Sequence, residues 1–259
     1  MTKLAKSKAF NMLTTSQQQG GFLHLPNDNV IKTIAVATLL CLVCSVVVSV
    51  TATVLKPTQV ENKLLDRKAN ILTVAGLNDP SKSIDELFSQ IESQVIEFDS
   101  GELRTDVDAV NYDQRKASKD PARSASLDKT QDIASISRRA DLGSVYLLKD
   151  GEQIDKIILP VKGYGLWSTM HGFLALEGDA KTVSGITFYD HGETPGLGGE
   201  IENKKWQASW QGKQVFDGNG EVALKVIKGN VDPAGSQADY QIDGLAGATL
   251  TSQADAVIC

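Results

Sequence analysis

The sequence predicts an α+β protein in which one N-terminal transmembrane helix precedes a twisted, mostly antiparallel sheet domain with flanking helices to one side. Three observations predict it. Thr33–Leu55 is a 23-residue run without charge, amide, glycine or proline. Apolar residues then recur at helical spacing as far as residue 95. From Ser144 onward, short β-branched and aromatic runs alternate with turn residues.

The 23 apolar residues, at about 1.5 Å each, span roughly 34 Å, the thickness of a bilayer's hydrocarbon core. Lys32 and Lys56 bracket the run and can reach the two interfaces. It exceeds the roughly 7–15 apolar residues of a signal-peptide core, and more than 30 residues precede it, so a retained anchor is expected. Residues 1–32 form an arm with four lysines against Asp28, a local charge of +3, and the remainder carries −9 to give −6 in all. That bias points the arm into the cytoplasm and the C-terminal domain, in a bacterium, into the periplasm. Cys41 and Cys44 lie within the span and read as small apolar residues, and Cys259 is the last residue.

Residues 56–143 read as a helical and loop-rich lead-in. Val60–Ala75 continues as helix until Gly76, Asn78, Asp79 and Pro80 end it. Ser83 and Glu86 form a capping box for a second helix, whose apolar face is Ile84, Leu87, Phe88, Ile91 and Val95. Residues 104–139 are polar and read as a surface excursion with little regular structure. Residues 144–259 form the main domain. A hairpin turns at Asp150-Gly151, and strands follow at Phe173–Glu177, Val183–His191 and Ala223–Gly229. Only 6% of the chain is aromatic, so the placement of Trp206 and Trp210, four apart on one helical face, is informative.

Three glycine-rich segments, 162–172, 191–200 and 243–252, can be turns or can let backbone N–H groups approach a planar or phosphorylated ligand. Three of them in one small domain favour a ligand cradle. His191 and Glu193 read as a hydrogen-bonded loop anchor rather than an acid–base pair. The sequence holds no Gly-x-Ser-x-Gly elbow and no nucleotide-binding Gly-Lys-Ser/Thr loop, and its three histidines lack zinc spacing. No catalytic or metal-ligating residue is therefore assigned. Without a basic stripe carrying interleaved aromatics, no nucleic-acid partner is expected.

In order, KPTQ, NKLLD, NILTVAGL, ILPVKGYGLWSTMHGFLALEGD, YDHGETPGLGGEI and DGLAGATLTS resemble the C-subunit family of bacterial Na+-translocating NADH:quinone oxidoreductases, over roughly residues 30–252. A cousin family is that of the G subunits of Rnf electron-transport complexes, and GLWSTM and HGETPGLGGE favour the quinone-reductase member. The resemblance implies FMN joined through its phosphate to the hydroxyl of Thr249 by a flavin transferase. Gly247 and Ala248 precede that residue and Asp243 opens the motif. Leu166, Trp167, Thr194, Gly196 and Leu197 are the implied walls of the ring site. The chain would be an electron carrier between an iron–sulfur centre and a second membrane flavin, with NADH oxidation, the Na+ pathway and quinone reduction on partner subunits. The span has no carboxylate to bind an ion. Two departures stand out. Ala246 replaces the family's Ser or Thr, and the chain ends ten residues after Thr249, before the longer family helix and tail. Both motivate a rival reading as a cofactor-free accessory or assembly subunit.

Overall fold

The computed structural model describes residues 30–248 and Thr251; residues 1–29 of the N-terminal arm, Thr249 and Cys259 lie outside the described residues. Two compact units divide between Val60 and Glu61. The elements in chain order are α1 (Val30–Ala75), α2 (Ile84–Phe88), β1 (Ile91–Glu97), α3 (Gln114–Ala117), β2 (Ser124–Ser126), β3 (Arg138–Ala140), β4 (Leu142–Asp150), β5 (Gln153–Tyr164), β6 (Thr169–Glu177), β7 (Val183–Asp190), α4 (Lys204–Ala208), β8 (Lys225–Val226) and β9 (Gln241–Ile242).

Within the first unit, α1 is the one helix among the described residues long and apolar enough to cross a membrane, with a mean hydropathy of 2.6 in its most apolar stretch. Its apolar side chains from Val30 to Leu55 are exposed. In water such a surface would be strongly unfavourable, and a lipid environment removes the cost. Thr51 and Thr53 donate their hydroxyls to the carbonyls of Val47 and Ser49, so these side chains need no outside partner.

In the second unit, five antiparallel strands pair in the order β1-β4-β5-β6-β7. The expected hairpin is present, with Asp150 paired to Gln153 across the turn. Successive side chains of a strand point to opposite faces, and β6 divides accordingly. Phe173 and Ala175 join Ile71, Leu72 and Leu87 on one face, whereas Met170, Leu174 and Leu176 join Trp206, Trp210 and Ile242 on the other. Both faces are thus buried, which is why the run from Phe173 to Leu176 is apolar throughout. The helices consequently lie on both sides of the sheet, not on one: the end of α1 with α2 on the first face, and α4 on the second. Trp206 and Trp210 pack edge to face at 5.5 Å.

Three further expectations change. Ser83 caps α2 as expected, its side chain accepting from the Glu86 N–H, but the helix ends at Phe88. Ile91 and Val95 belong to β1, paired with Leu148 and Ser144 of β4. A spacing of four satisfies both a helical stripe and one face of a strand, and the β-branched residues together with the waiting edge of β4 decide it. The excursion 104–139 contains α3 and β2 and runs into β3, and its Tyr112 and Ala117 form a third buried cluster with Val95 and with Ala140 at the end of β3. The strand expected over Ala223–Gly229 is reduced to β8, which pairs in parallel with β9.

Candidate functional site

The β5–β6 turn and the segment leaving β7 emerge at the same end of the sheet, because the strands alternate in direction. The turn, Gly165–Ser168, carries Leu166 and Trp167; the segment leaving β7, His191–Asn203, carries Thr194, Gly196 and Leu197. A third segment follows β9, and its described residues are 243–248 and Thr251.

Glu193, only 6% exposed, ties these loops together. Its Oε1 accepts from the N–H groups of Trp167 (2.9 Å) and Ser168 (3.2 Å), and its Oε2 accepts from Leu166 N–H (3.3 Å). The same Oε2 accepts the hydroxyl of Thr251 at 2.8 Å. Burial works against ionisation of this carboxyl, but the bonds from Trp167, Thr251, Ser168 and Leu166 outweigh it and hold its pKa below the ordinary glutamate value. A carboxylate accepting several N–H bonds in a turn is a rigid anchor. The loop-anchor reading of Glu193 therefore holds. The His191 ring instead accepts from Glu193 N–H through Nδ1 (3.2 Å) and bonds Glu202 Oε1 through Nε2 (2.9 Å). Ser168 completes the junction by accepting the Gly192 N–H on its hydroxyl at 2.6 Å.

Two glycines make room for the carboxylate. A Cβ on Gly165 or on Gly198 would lie 2.6 Å from a Glu193 oxygen, and the one on Gly198 would also lie 2.8 Å from Thr251 Oγ1. Gly247 has a different role. Its φ of +75° is a left-handed conformation, and a Cβ there would meet Leu197 at 3.0 Å. The second and third loops therefore touch backbone to side chain.

Around this junction Leu166 (50% exposed), Trp167 (64%) and Leu197 (46%) present large apolar surfaces to solvent. Thr194 and Gly196 are also exposed, whereas Ala248 is buried. Asp243 stands apart from the walls. Its carboxylate accepts from Val231 N–H at 2.7 Å and its carbonyl accepts from Trp206 Nε1 at 2.8 Å, so it fixes the third loop to the sheet's second face. Exposed apolar side chains beside bare glycine backbone suit a flat, partly apolar ligand such as an isoalloxazine ring, so the residues present fit FMN. Among the described residues no group of three or more His, Cys, Asp or Glu is placed to hold a metal. Sequence reasoning assigned no role to Ser168 or Thr251; both act through hydrogen bonds to residues far along the chain, for which the local sequence carries no signal.

The chain is 51% identical to the C subunit of the Na(+)-translocating NADH-quinone reductase of Pseudomonas aeruginosa, over 87% of this chain and 88% of the relative. It is 53% identical to the protein of the same name from Vibrio anguillarum, over 87% of each. The chain belongs to this C-subunit family. Residues 165–256 match the FMN-binding domain model, which begins at the first of the two glycines packed on Glu193 and takes in all three loops. The solved structure of NqrC from Shewanella oneidensis superposes with a TM-score of 0.66 at 31% identity, covering 72% of this chain and 85% of that one. The resemblance drawn from the sequence and the α+β fold are both borne out.

Proposed function

We propose that this chain is the membrane-anchored, FMN-carrying electron-relay subunit of a Na+-translocating NADH-quinone reductase, with the flavin joined through its phosphate to Thr249. One observation carries the reading. A buried carboxylate gathers three loops, and the last of them leads through Gly247 and Ala248 to Thr249, inside the span that matches the FMN-binding domain.

Bound FMN supplies one-electron redox chemistry. The residues of this chain bind, orient and shield. Leu166, Trp167 and Leu197 remove apolar surface of the ring from water, and Thr194 and Gly196 complete the wall. Asp243 holds the third loop in place. The attachment needs no base from this chain: a flavin transferase supplies an activated flavin nucleotide, the Thr249 oxygen forms the new P–O bond, its proton leaves to the transferase, and the nucleotide portion is the leaving group. A covalent link retains the cofactor in a compartment where free FMN is scarce. In this reading residues 1–32 are a cytoplasmic arm, 33–55 span the inner membrane, 56–143 lead in, and 144–259 form the periplasmic flavin domain. Electrons arrive from an iron–sulfur centre and leave to a flavin on another membrane subunit.

Coexpression of the full chain with a flavin transferase, followed by a denaturing gel viewed under ultraviolet light, tests the proposal. The wild-type band is expected to fluoresce and the Thr249→Ala band to be dark. A dark wild-type band would favour the cofactor-free accessory reading, for which Ala246, exposed beside Gly247, is the motivating feature. A C-terminal alkaline phosphatase fusion that stays inactive would overturn the periplasmic placement.

A further inference from the structure

A second cavity of about 820 Å³ opens between α3, β3, the beginning of β6 and the end of β7. It shares Ser168 and Gly192 with the flavin cradle, but its character is different. Its charged lining is Arg115, Lys119, Arg138 and Lys162 against the single carboxylate of Asp190, which Arg115 engages at 2.7 Å. A local charge of +3 stands in a chain whose total is −6.

Adjoining it is a recess of about 30 Å³, large enough for one water or one anionic oxygen, which shares Arg115, Lys162 and His171 with the larger cavity and adds Arg67. No carboxylate lines the recess. Arg67 donates through Nη2 to the Tyr146 hydroxyl at 2.8 Å, yet its buried Nε has no hydrogen-bond partner. A buried guanidinium N–H without an acceptor is costly, and an anion is its natural complement. Burial together with the cations Arg115, Lys162 and Lys119 pushes the pKa of His171 down to about 4, with Asp190 opposing. The ring is thus neutral at neutral pH, and positive potential dominates its surroundings.

The rim is shaped at the expense of backbone strain. Of the three described residues other than glycine with a left-handed φ, two, Ser135 (53°) and Ser137 (62°), line this cavity. Such conformations cost on the order of 1–3 kcal/mol each and persist where surrounding bonds enforce them. Here Asp132 accepts from Ile136 and Ser137 N–H, at 2.7 and 2.8 Å. Arg138 contributes charge rather than free donors, since its guanidinium already donates to the Ser124 and Ser126 hydroxyls, at 3.0 and 2.8 Å, and to the Ser124 carbonyl.

We propose that this basic cleft is a binding site for a small phosphate-bearing anion, separate from the flavin cradle, with one anionic oxygen taken up by the recess at Arg67 and Arg115. Two sources share that chemistry: a soluble phosphate compound and the headgroup of an anionic lipid.

Calorimetry on the full chain in phosphatidylcholine nanodiscs, titrated with inorganic pyrophosphate, tests the site. Saturable one-to-one binding is expected, about tenfold weaker in Lys162→Gln and about threefold weaker in Lys119→Gln, where an exposed side chain changes without disturbing the fold. The histidine ring resonance of His171 should titrate at higher pH once pyrophosphate is bound. Undiminished binding in phosphatidylglycerol nanodiscs assigns the site to a soluble anion, and suppressed binding there assigns it to a lipid headgroup. Absence of saturable binding in phosphatidylcholine discs, or wild-type affinity in both variants, would overturn the proposal. So would loss of binding on flavin loading, since Thr249→Ala and flavin-loaded chains must bind alike if the two sites are separate.

Discussion

Removal of the Glu193 carboxylate is the sharpest test of how the flavin loops are held. In Glu193→Ala, three backbone N–H groups and the Thr251 hydroxyl lose a common ionised acceptor. Hydrogen bonds to charged groups contribute about 1.5–3 kcal/mol each, but water reaches the exposed Leu166–Trp167 turn and restores part of the loss. A net destabilisation of about 3–4 kcal/mol is expected, a large share of the total stability of an ordinary domain. Glu193→Gln keeps the shape and one acceptor oxygen but turns an NH2 group toward N–H donors, for a loss of about 2 kcal/mol. Gly198→Ala should act like the milder variant, since its Cβ would press on the carboxylate at 2.6 Å and on Thr251 at 2.8 Å. Urea unfolding of the full chain in detergent reads these changes through the fluorescence of buried Trp206 and Trp210. In-gel flavin fluorescence, measured in parallel, should fall in the same order. A loss below about 1 kcal/mol for Glu193→Ala, with flavin loading at the wild-type level, would refute the claim that this carboxylate organises the cradle.

Trp167→Ala should leave the unfolding midpoint of the flavin-free chain within about 0.5 kcal/mol, because the side chain is 64% exposed, yet change the emission and reduction potential of the bound flavin. Unchanged flavin properties, measured by spectroelectrochemistry, would remove Trp167 from the wall. Acidification should destabilise the domain between about pH 6.5 and about pH 4, because the unfolded chain protonates His171 in that window and the folded chain does not. At about 1.4 kcal/mol per pH unit the full effect is about 3.5 kcal/mol, and solvent access to the partly buried ring reduces it to roughly 2. His171→Gln should flatten that part of the profile. The contribution of Glu193, whose pKa is lowered from 4.5, is present above that value and is lost only as the pH falls further.

What was legible in the sequence divides by the range of the interactions involved. The anchor was readable because lipid demands an uninterrupted apolar run, a property of consecutive residues. The hairpin at Gly151 was readable for the same reason, since a two-residue turn is local chemistry. Ile91 and Val95 were misplaced because a spacing of four cannot distinguish the two periods, and the deciding partner, β4, lies some fifty residues away. The order within 104–139 was invisible on similar grounds. Tyr112 donates to the Leu142 carbonyl, Gln114 accepts from Ser144 N–H, and Arg115 reaches Asp190. Each of these contacts joins distant stretches, so a polar composition alone suggests a loose loop.

The site follows the same logic with one refinement. Glycine content revealed three loops that permit close approach, but permission does not gather them. A side chain has to do that, and its acceptors and donors here are mostly backbone groups, which every residue possesses and no motif displays. Glu193 and Thr251 lie 58 residues apart, and their bond links the loop that bears Leu197 to the segment beyond Thr249. Gly165 and Gly198 are required because that carboxylate fills the space on both sides of it, not because a ligand does. Gly247 alone combines a left-handed backbone with contact to a proposed wall residue. Glycines around the cradle therefore serve two purposes, Gly165 and Gly198 accommodating the anchor and Gly247 leading toward the proposed attachment residue.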